Sequence, residues 1–178
     1  MAPDPIRPLF LHCPRCAAAG FSTGEGPALS CGGCGFVYYL NPAVAVAAFV
    51  RDEEGRLLLL RRAVEPAKGK LAPPGGFIDK LETAEAALKR EVFEEVGLDV
   101  LSVQYLTSQP NLYNYKGVTY TVLDLFFLAT VQSFNIKADA SEVAGYELRA
   151  LDSVHPDELA FPSVRAAFAV LQSLKMKH

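Results

Sequence analysis

The stretch from Gly76 to Leu98, GFIDKLETAEAALKREVFEEVGL, organises the reading of the whole chain. From Thr83 to Val96 it holds no Pro or Gly and is rich in Ala, Glu, Leu, Lys and Arg, all good helix formers. Thr83 is placed to cap the helix, Glu85 lies near its positive end, and Gly97 sits where a glycine ends one. Ala84, Leu88, Val92 and Val96 recur every four residues and form one apolar stripe to bury. Glu91, Glu94 and Glu95 fall at i, i+3 and i+4, so three carboxylates crowd one side. Like charges at that spacing repel one another. A hard divalent cation such as Mg²⁺ or Mn²⁺ removes the penalty, and Arg90 can reach Glu94 at i+4. Upstream, Ala72-Pro73-Pro74-Gly75-Gly76 stiffens and then turns the chain into the helix.

As a pattern the stretch is G-x5-E-x7-R-E-U-x-E-E-x-G-U, where U is a bulky aliphatic residue, with Gly76, Glu82, Arg90, Glu91, Glu94, Glu95 and Gly97 as its fixed positions. It resembles the Nudix box, the signature of Mg²⁺-dependent hydrolases of nucleoside diphosphates linked to another group. The resemblance implies an α/β fold, an α/β/α sandwich around a mixed sheet, over about Pro42 to Leu174. It implies that water attacks a phosphorus of a P–O–P linkage while divalent cations polarise the phosphoryl oxygens. Glu91, Glu94 and Glu95 are then the expected metal ligands, joined by the Gly76 carbonyl, with Glu82 an anchor for the loop. The general base in this family is a box glutamate or a carboxylate of a later loop, for which Glu142 in Ala140-Ser141-Glu142-Val143 is the candidate.

All four cysteines lie near the amino terminus, as Cys13-Pro-Arg-Cys16 and Cys31-Gly-Gly-Cys34. Two C-x2-C knuckles at this separation are the sequence form of a zinc ribbon with four thiolate ligands, a closed structural site. Gly32, Gly33 and Gly35 are expected to let the second knuckle fold tightly. Two disulfides or a redox dithiol pair compete with this reading. Met1 to Leu11 holds three prolines and no apolar core of a secretory signal, so a cytoplasmic, reducing setting is expected. So small a module buries too little apolar surface to fold without its metal. The expected division is a ribbon over 1–41 and a Nudix domain over 42–178.

With 17 basic against 20 acidic residues and a net charge of −3, the chain lacks the basic footprint of a general nucleic-acid binder. No apolar run reaches the 18 or so residues of a membrane span. Strands are expected over Ala43–Arg51, Arg56–Arg62, Leu101–Ser108, Val118–Val131 and Tyr146–Leu151, with a second amphipathic helix over Ser163–Leu174.

A ribbon before a Nudix domain is similar to the NADH pyrophosphatase branch, which carries Ser-Gln-Pro followed by Trp-Pro-Phe-Pro-x-Ser after the box. Here Ser108-Gln109-Pro110 stands in that place but continues Asn111-Leu112-Tyr113-Asn114-Tyr115, and the chain has no Trp. The ribbon follows closely on Met1, so the branch's amino-terminal domain is not expected. Ser108 and Gln109 are candidates for ribose or base contacts, and Tyr113 and Tyr115 for base stacking. Asp124, inside an apolar strand, is costly to bury unpaired.

The expected function is thus a pyrophosphohydrolase of NAD(H), ADP-ribose, FAD or a similar small-molecule nucleotide. Many relatives pair as homodimers. A catalytically silent nucleotide or RNA sensor is the alternative, and such proteins usually lack box carboxylates, none of which is missing here. A prenyl diphosphate isomerase needs a cysteine at its centre, whereas all four here lie in the ribbon.

Overall fold

The computed structural model describes residues 5–21, 26 and 28–175. The chain divides into two compact units, Met1–Ala43 with Leu112–Thr121, and Val44–Asn111 with Val122–His178.

In the first unit, β1 (Ala28–Ser30) and β2 (Val37–Tyr39) pair antiparallel, with Leu29 opposite Tyr38. Cys13, Phe21, Leu29, Cys31 and Leu40 form a small buried core, with Phe10 and Phe36 packed against it. The two knuckles repeat one geometry. Ala17 N–H donates to the Cys13 carbonyl at 2.8 Å and Gly35 N–H to that of Cys31 at 2.9 Å. Ala17 and Gly35 both hold left-handed backbone, at φ +60° and +70°. Of the three knuckle glycines, Gly35 alone adopts the conformation that favours glycine, and Ala17 bears the corresponding strain in the first knuckle.

The remaining elements are β3 (Ala43–Val50), β4 (Leu57–Arg62), β5 (Leu71–Ala72), α1 (Ala84–Val96), β6 (Val100–Tyr115), β7 (Val118–Val131), β8 (Val143–Arg149) and α2 (Pro162–Lys175), which form the second unit except for Ala43 and the joined ends of β6 and β7 over Leu112–Thr121. The strands form two three-stranded sheets, in the orders β3-β7-β6 and β5-β4-β8. Strand alternation makes two cores. Val46, Ala48, Val50, Leu58, Leu60, Phe127 and Ala129 pack with Ala87, Leu88, Val92 and Val96 of α1. Their strand neighbours Phe49, Leu57, Leu59 and Phe126 pack with Val164, Ala167, Phe168 and Leu171 of α2. A helix therefore covers each face of the strand layer, the expected α/β/α sandwich.

The expected helices and the apolar strand Val118–Val131 sit where the pattern put them, and β7 is central in its sheet. Two strand bounds need correction. The strand expected to stop at Ser108 runs on through Pro110 to Tyr115. It lies at a sheet edge, where proline leaves no ladder hydrogen bond broken. A two-residue turn at Lys116-Gly117, both at positive φ, links it to β7. The strand expected over Tyr146–Leu151 instead covers Val143–Arg149, paired antiparallel with β4 from Leu57–Arg149 to Arg62–Val143. Leu151 begins a 3₁₀ turn.

Candidate active site

The site begins where α1 meets the proline–glycine loop. Thr83 Oγ1 accepts from Ala86 N–H at 3.2 Å, and Gly97, at φ +68°, donates its N–H to the Phe93 carbonyl at 2.8 Å. Both ends of the helix are thereby fixed, and with them the bearing of its glutamates.

The loop lies along β3. Ala48 N–H donates to the Pro74 carbonyl at 2.8 Å, Val46 N–H to Gly76 at 2.9 Å, and Ile78 N–H to Val44 at 3.0 Å. The approach is so close that a Cβ on Gly75 would stand 2.0 Å from the Val46 carbonyl oxygen, and Gly75 holds φ +151°. A Cβ on Gly76 would meet the Glu91 carboxylate at 2.5 Å. The Gly76 backbone and Glu91 are therefore neighbours. The Gly76 carbonyl, with one lone pair on Val46, keeps the other for a further partner.

Arg90 ties three glutamates together. Its Nε and Nη2 grip Glu82 at 3.0 and 2.8 Å, while Nη1 donates to Glu91 at 2.7 Å and Glu94 at 3.1 Å. Nη2 also donates to the Phe77 carbonyl at 3.1 Å. Glu82 in turn accepts from Asp79 N–H at 3.0 Å, which joins the loop to the helix. The Arg90 fork beside it, helped by that N–H, holds the Glu82 carboxyl below its ordinary range.

Glu95 has no such cation in contact. Its Oε2 accepts from Gly75 N–H at 2.8 Å, yet burial raises its pKa to about 8, with Glu91 and Glu142 adding like charge. Burial likewise raises Glu91 against the pull of Arg90, and again Glu94 and Glu142 contribute. Glu142 thus belongs to the same electrostatic cluster, although it follows Glu95 by 47 residues. The loop before it is sewn onto the end of α1. Lys137 N–H reaches the Val96 carbonyl at 2.8 Å and Asp139 N–H the Glu95 carbonyl at 2.9 Å, satisfying carbonyls that a helix end leaves open. Ala63 N–H then donates to the Glu142 carbonyl at 2.9 Å.

Arg62, at the end of β4, is a residue the pattern did not single out. Its Nε is held by the Pro66 carbonyl at 2.8 Å, its guanidinium lies 5.2 Å from the Phe161 ring centroid, and its charge is felt at Glu95. The pair Arg61-Arg62 closing an apolar strand was the available signal.

The structure brings together Gly76, Arg90, Glu91, Glu94, Glu95 and Glu142. Glu94 points outward, with 58% of its side chain exposed, and touches the cluster through Arg90. Ser108 and Gln109 are half-buried on β6, where Gln109 Nε2 donates to Thr107 Oγ1 at 3.2 Å. Tyr113 and Tyr115, farther along that strand, have ring centroids 6.5 Å apart and belong to the first unit.

A buried cluster of carboxylates with a raised proton affinity is suited to a divalent cation, which restores their charge. The four thiols form a second metal-ready cluster. Sγ atoms of Cys13 and Cys34 lie 3.7 Å apart, those of Cys16 and Cys31 3.6 Å, and all four fall within 4.8 Å. A tetrahedral thiolate site with bonds of about 2.3 Å sets its sulfurs about 3.8 Å apart. The cysteines are free thiols. Backbone N–H groups of Cys34 and Gly33 draw Cys31 down to about 7, while the Cys34 and Cys31 thiols outweigh the Ala18 N–H and push Cys16 up to about 12.

The Nudix domain profile matches residues 41–170. An ADP-ribose pyrophosphatase of Methanocaldococcus jannaschii is 36% identical over 117 residues, covering 64% of this chain and 66% of that protein. A NAD-capped RNA hydrolase NudC of Vibrio vulnificus is 29% identical over 146 residues, covering 81% and 52%. The chain spans less than two thirds of the length of these curated relatives. Among solved structures, a MutT Nudix hydrolase from Burkholderia pseudomallei superposes with a TM-score of 0.64 at 25% identity, over 74% of this chain and 98% of that one. A Nudix hydrolase from Nitrosomonas europaea shares the fold with a TM-score of 0.65 at 22% identity, over 88% and 86%. With the seven fixed box residues in register and the family profile matching 41–170, this chain belongs to the Nudix family.

Proposed function

We propose that this protein is a Mg²⁺- or Mn²⁺-dependent pyrophosphohydrolase that cleaves the diphosphate of a nucleoside diphosphate derivative or dinucleotide, of the NAD(H), ADP-ribose or FAD kind. The observation that carries this is the convergence of Glu91, Glu95 and Glu142 beside the backbone of Gly75 and Gly76. One relative's name, ADP-ribose pyrophosphatase, supports a small nucleotide substrate, while the other, NAD-capped RNA hydrolase, names an RNA that carries NAD at its cap.

Glu91, Glu94, Glu95 and the Gly76 carbonyl are the metal-holding set. When bound, the cations supply Lewis acidity to the phosphoryl oxygens and to the attacking water. Arg90 does not touch substrate in this reading; it holds Glu91 and Glu94 in position by fixing them to Glu82 and the loop. Glu142, an exposed loop carboxylate within the field of Glu91 and Glu95, takes the proton as general base. Arg62 offers its two Nη groups, which carry no hydrogen bond among the described residues, to a substrate phosphate oxygen. Ser108 and Gln109 serve ribose or base. The thiol cluster holds a structural Zn²⁺. The protein works in the cytoplasm, as a homodimer like many relatives.

A panel of nucleotide-linked diphosphates incubated with Mg²⁺ or Mn²⁺ tests the reading by release of a nucleoside monophosphate. Glu95→Gln is expected to lose about 10²-fold or more in kcat. No turnover across the panel, or a variant as active as the parent, overturns it.

A further inference from the structure

The turn that carries Glu142 is organised by Asp139, three positions before it in Asp139-Ala140-Ser141-Glu142. The Asp139 N–H donates to the Glu95 carbonyl at 2.9 Å, so the turn starts from the backbone of a box glutamate. Its carbonyl accepts the N–H of Glu142 at 3.2 Å and that of Val143 at 2.8 Å. Its Oδ1 accepts the Ser141 N–H at 2.9 Å and the Ser141 hydroxyl at 2.8 Å. A carboxylate that takes the N–H two residues on closes an Asx turn and holds the backbone between in one conformation. Beyond the turn, the Glu142 carbonyl is held by the Ala63 N–H at 2.9 Å. The backbones of Glu95 and Glu142 are thus joined through a single residue.

Packing does not fix this path. Asp139, Ala140, Ser141 and Glu142 are all exposed, and none of them belongs to either apolar core. An exposed segment without buried apolar contacts opens readily, so the hydrogen bonds of Asp139 decide where Glu142 stands. On charge alone an aspartate is unfavourable here. The carboxyl end of a helix carries partial negative charge, and Glu91, Glu95 and Glu142 already act on one another as like charges. Asparagine makes the same turn without adding an anion. What the carboxylate adds is strength, since hydrogen bonds to an ionised acceptor are firmer than those between neutral groups.

We propose that Asp139 is a positioning residue for hydrolysis, clamping Glu142 to the backbone of Glu95 so that the base and a metal-holding carboxylate keep one spacing. Asp139 itself touches neither substrate nor metal. This role rests on the pyrophosphohydrolase reading with Glu142 as its base, and it adds what keeps that base in place.

The test is a double-mutant cycle on hydrolysis of ADP-ribose, NADH and FAD by the full chain with Mg²⁺. Asp139→Ala is expected to lower kcat about tenfold and to change KM less than about twofold, because a displaced base loses efficiency without loosening substrate binding. Asp139→Asn keeps the Oδ1 acceptor and is expected to stay within about threefold of the parent. In a Glu142→Gln background no base remains to be positioned, and Asp139→Ala is expected to change kcat less than about twofold. Ser141→Ala removes the hydroxyl bond alone, is expected to slow the parent about threefold, and takes the place of Asp139→Ala in the cycle if that chain does not fold. A folded variant as fast as the parent overturns the proposal. So does an equal loss in both backgrounds, the result expected if the turn only supports the end of α1, or an Asp139→Asn chain as slow as Asp139→Ala. Glu142→Gln as active as the parent removes the base and this role with it, while metal-dependent hydrolysis stands. Absent turnover by the parent overturns the hydrolase reading as well, whereas turnover indifferent to Asp139 overturns the positioning role alone.

Discussion

At the scale of single residues, the site depends on a few groups whose surroundings make them irreplaceable. Gly75→Ala is expected to cost about 3 kcal/mol or more, because the new methyl meets the Val46 backbone rather than a side chain that can move. Chemical denaturation checks it, and a variant as stable as the parent contradicts the contact. The pH dependence follows from Glu95. The fold binds this proton more tightly than the unfolded chain, so the contribution of Glu95 is intact below about pH 4.5 and declines as pH rises towards about 8. Metal-free protein is therefore expected to lose Tm between those values, and added Mg²⁺ to restore more of it at pH 8 than at pH 5. Glu95→Gln should flatten both trends, and a metal-free Tm that climbs over that window counts against the buried carboxyl. The box glutamates were legible in the sequence because helical spacing alone puts them on neighbouring turns. The raised proton affinity of Glu95 was not, since it arises from burial and from Glu142, which only the fold brings near.

At the scale of elements, α1 is defined by local chemistry and β6 by its neighbours. Thr83 and Gly97 end the helix as their side chains and backbone dictate, and Thr83→Ala is expected to cost about 1 kcal/mol in urea unfolding with the box geometry retained. The pattern placed both helices because apolar residues at helical spacing need no partner to be recognised. It ended β6 too early because Pro110 reads as a strand breaker unless the strand is known to lie at an edge. Likewise, the segment from Lys137 to Glu142 has no periodicity of its own. Its path comes from hydrogen bonds to the last carbonyls of α1, and through them Glu142 is carried to the site.

At the scale of the whole molecule, the two units are held by different means. The sandwich has two apolar cores, while the ribbon has five buried residues among those described, two of them cysteines. The ribbon should consequently depend on its metal. Elemental analysis is expected to find about one zinc per chain, and a strong chelator or Cys31→Ser to abolish the ribbon's protection from proteolysis while α1 and α2 stay protected. A fully protected ribbon after complete zinc removal contradicts this. Among the described residues, no helix is long and apolar enough to cross a membrane. What the sequence determined by itself was whatever depends on near neighbours: the box helix, its caps, the three carboxylates on it, the paired cysteine knuckles. What only the tertiary structure decided was the company those groups keep. Glu142 and Arg62 within range of Glu95, the β3 backbone against Gly75, and Asp124 beside Asn111 and Ser163 join residues far apart in the chain. Proton affinity and unsatisfied hydrogen bonding are properties of such surroundings, and no spacing along the chain encodes them.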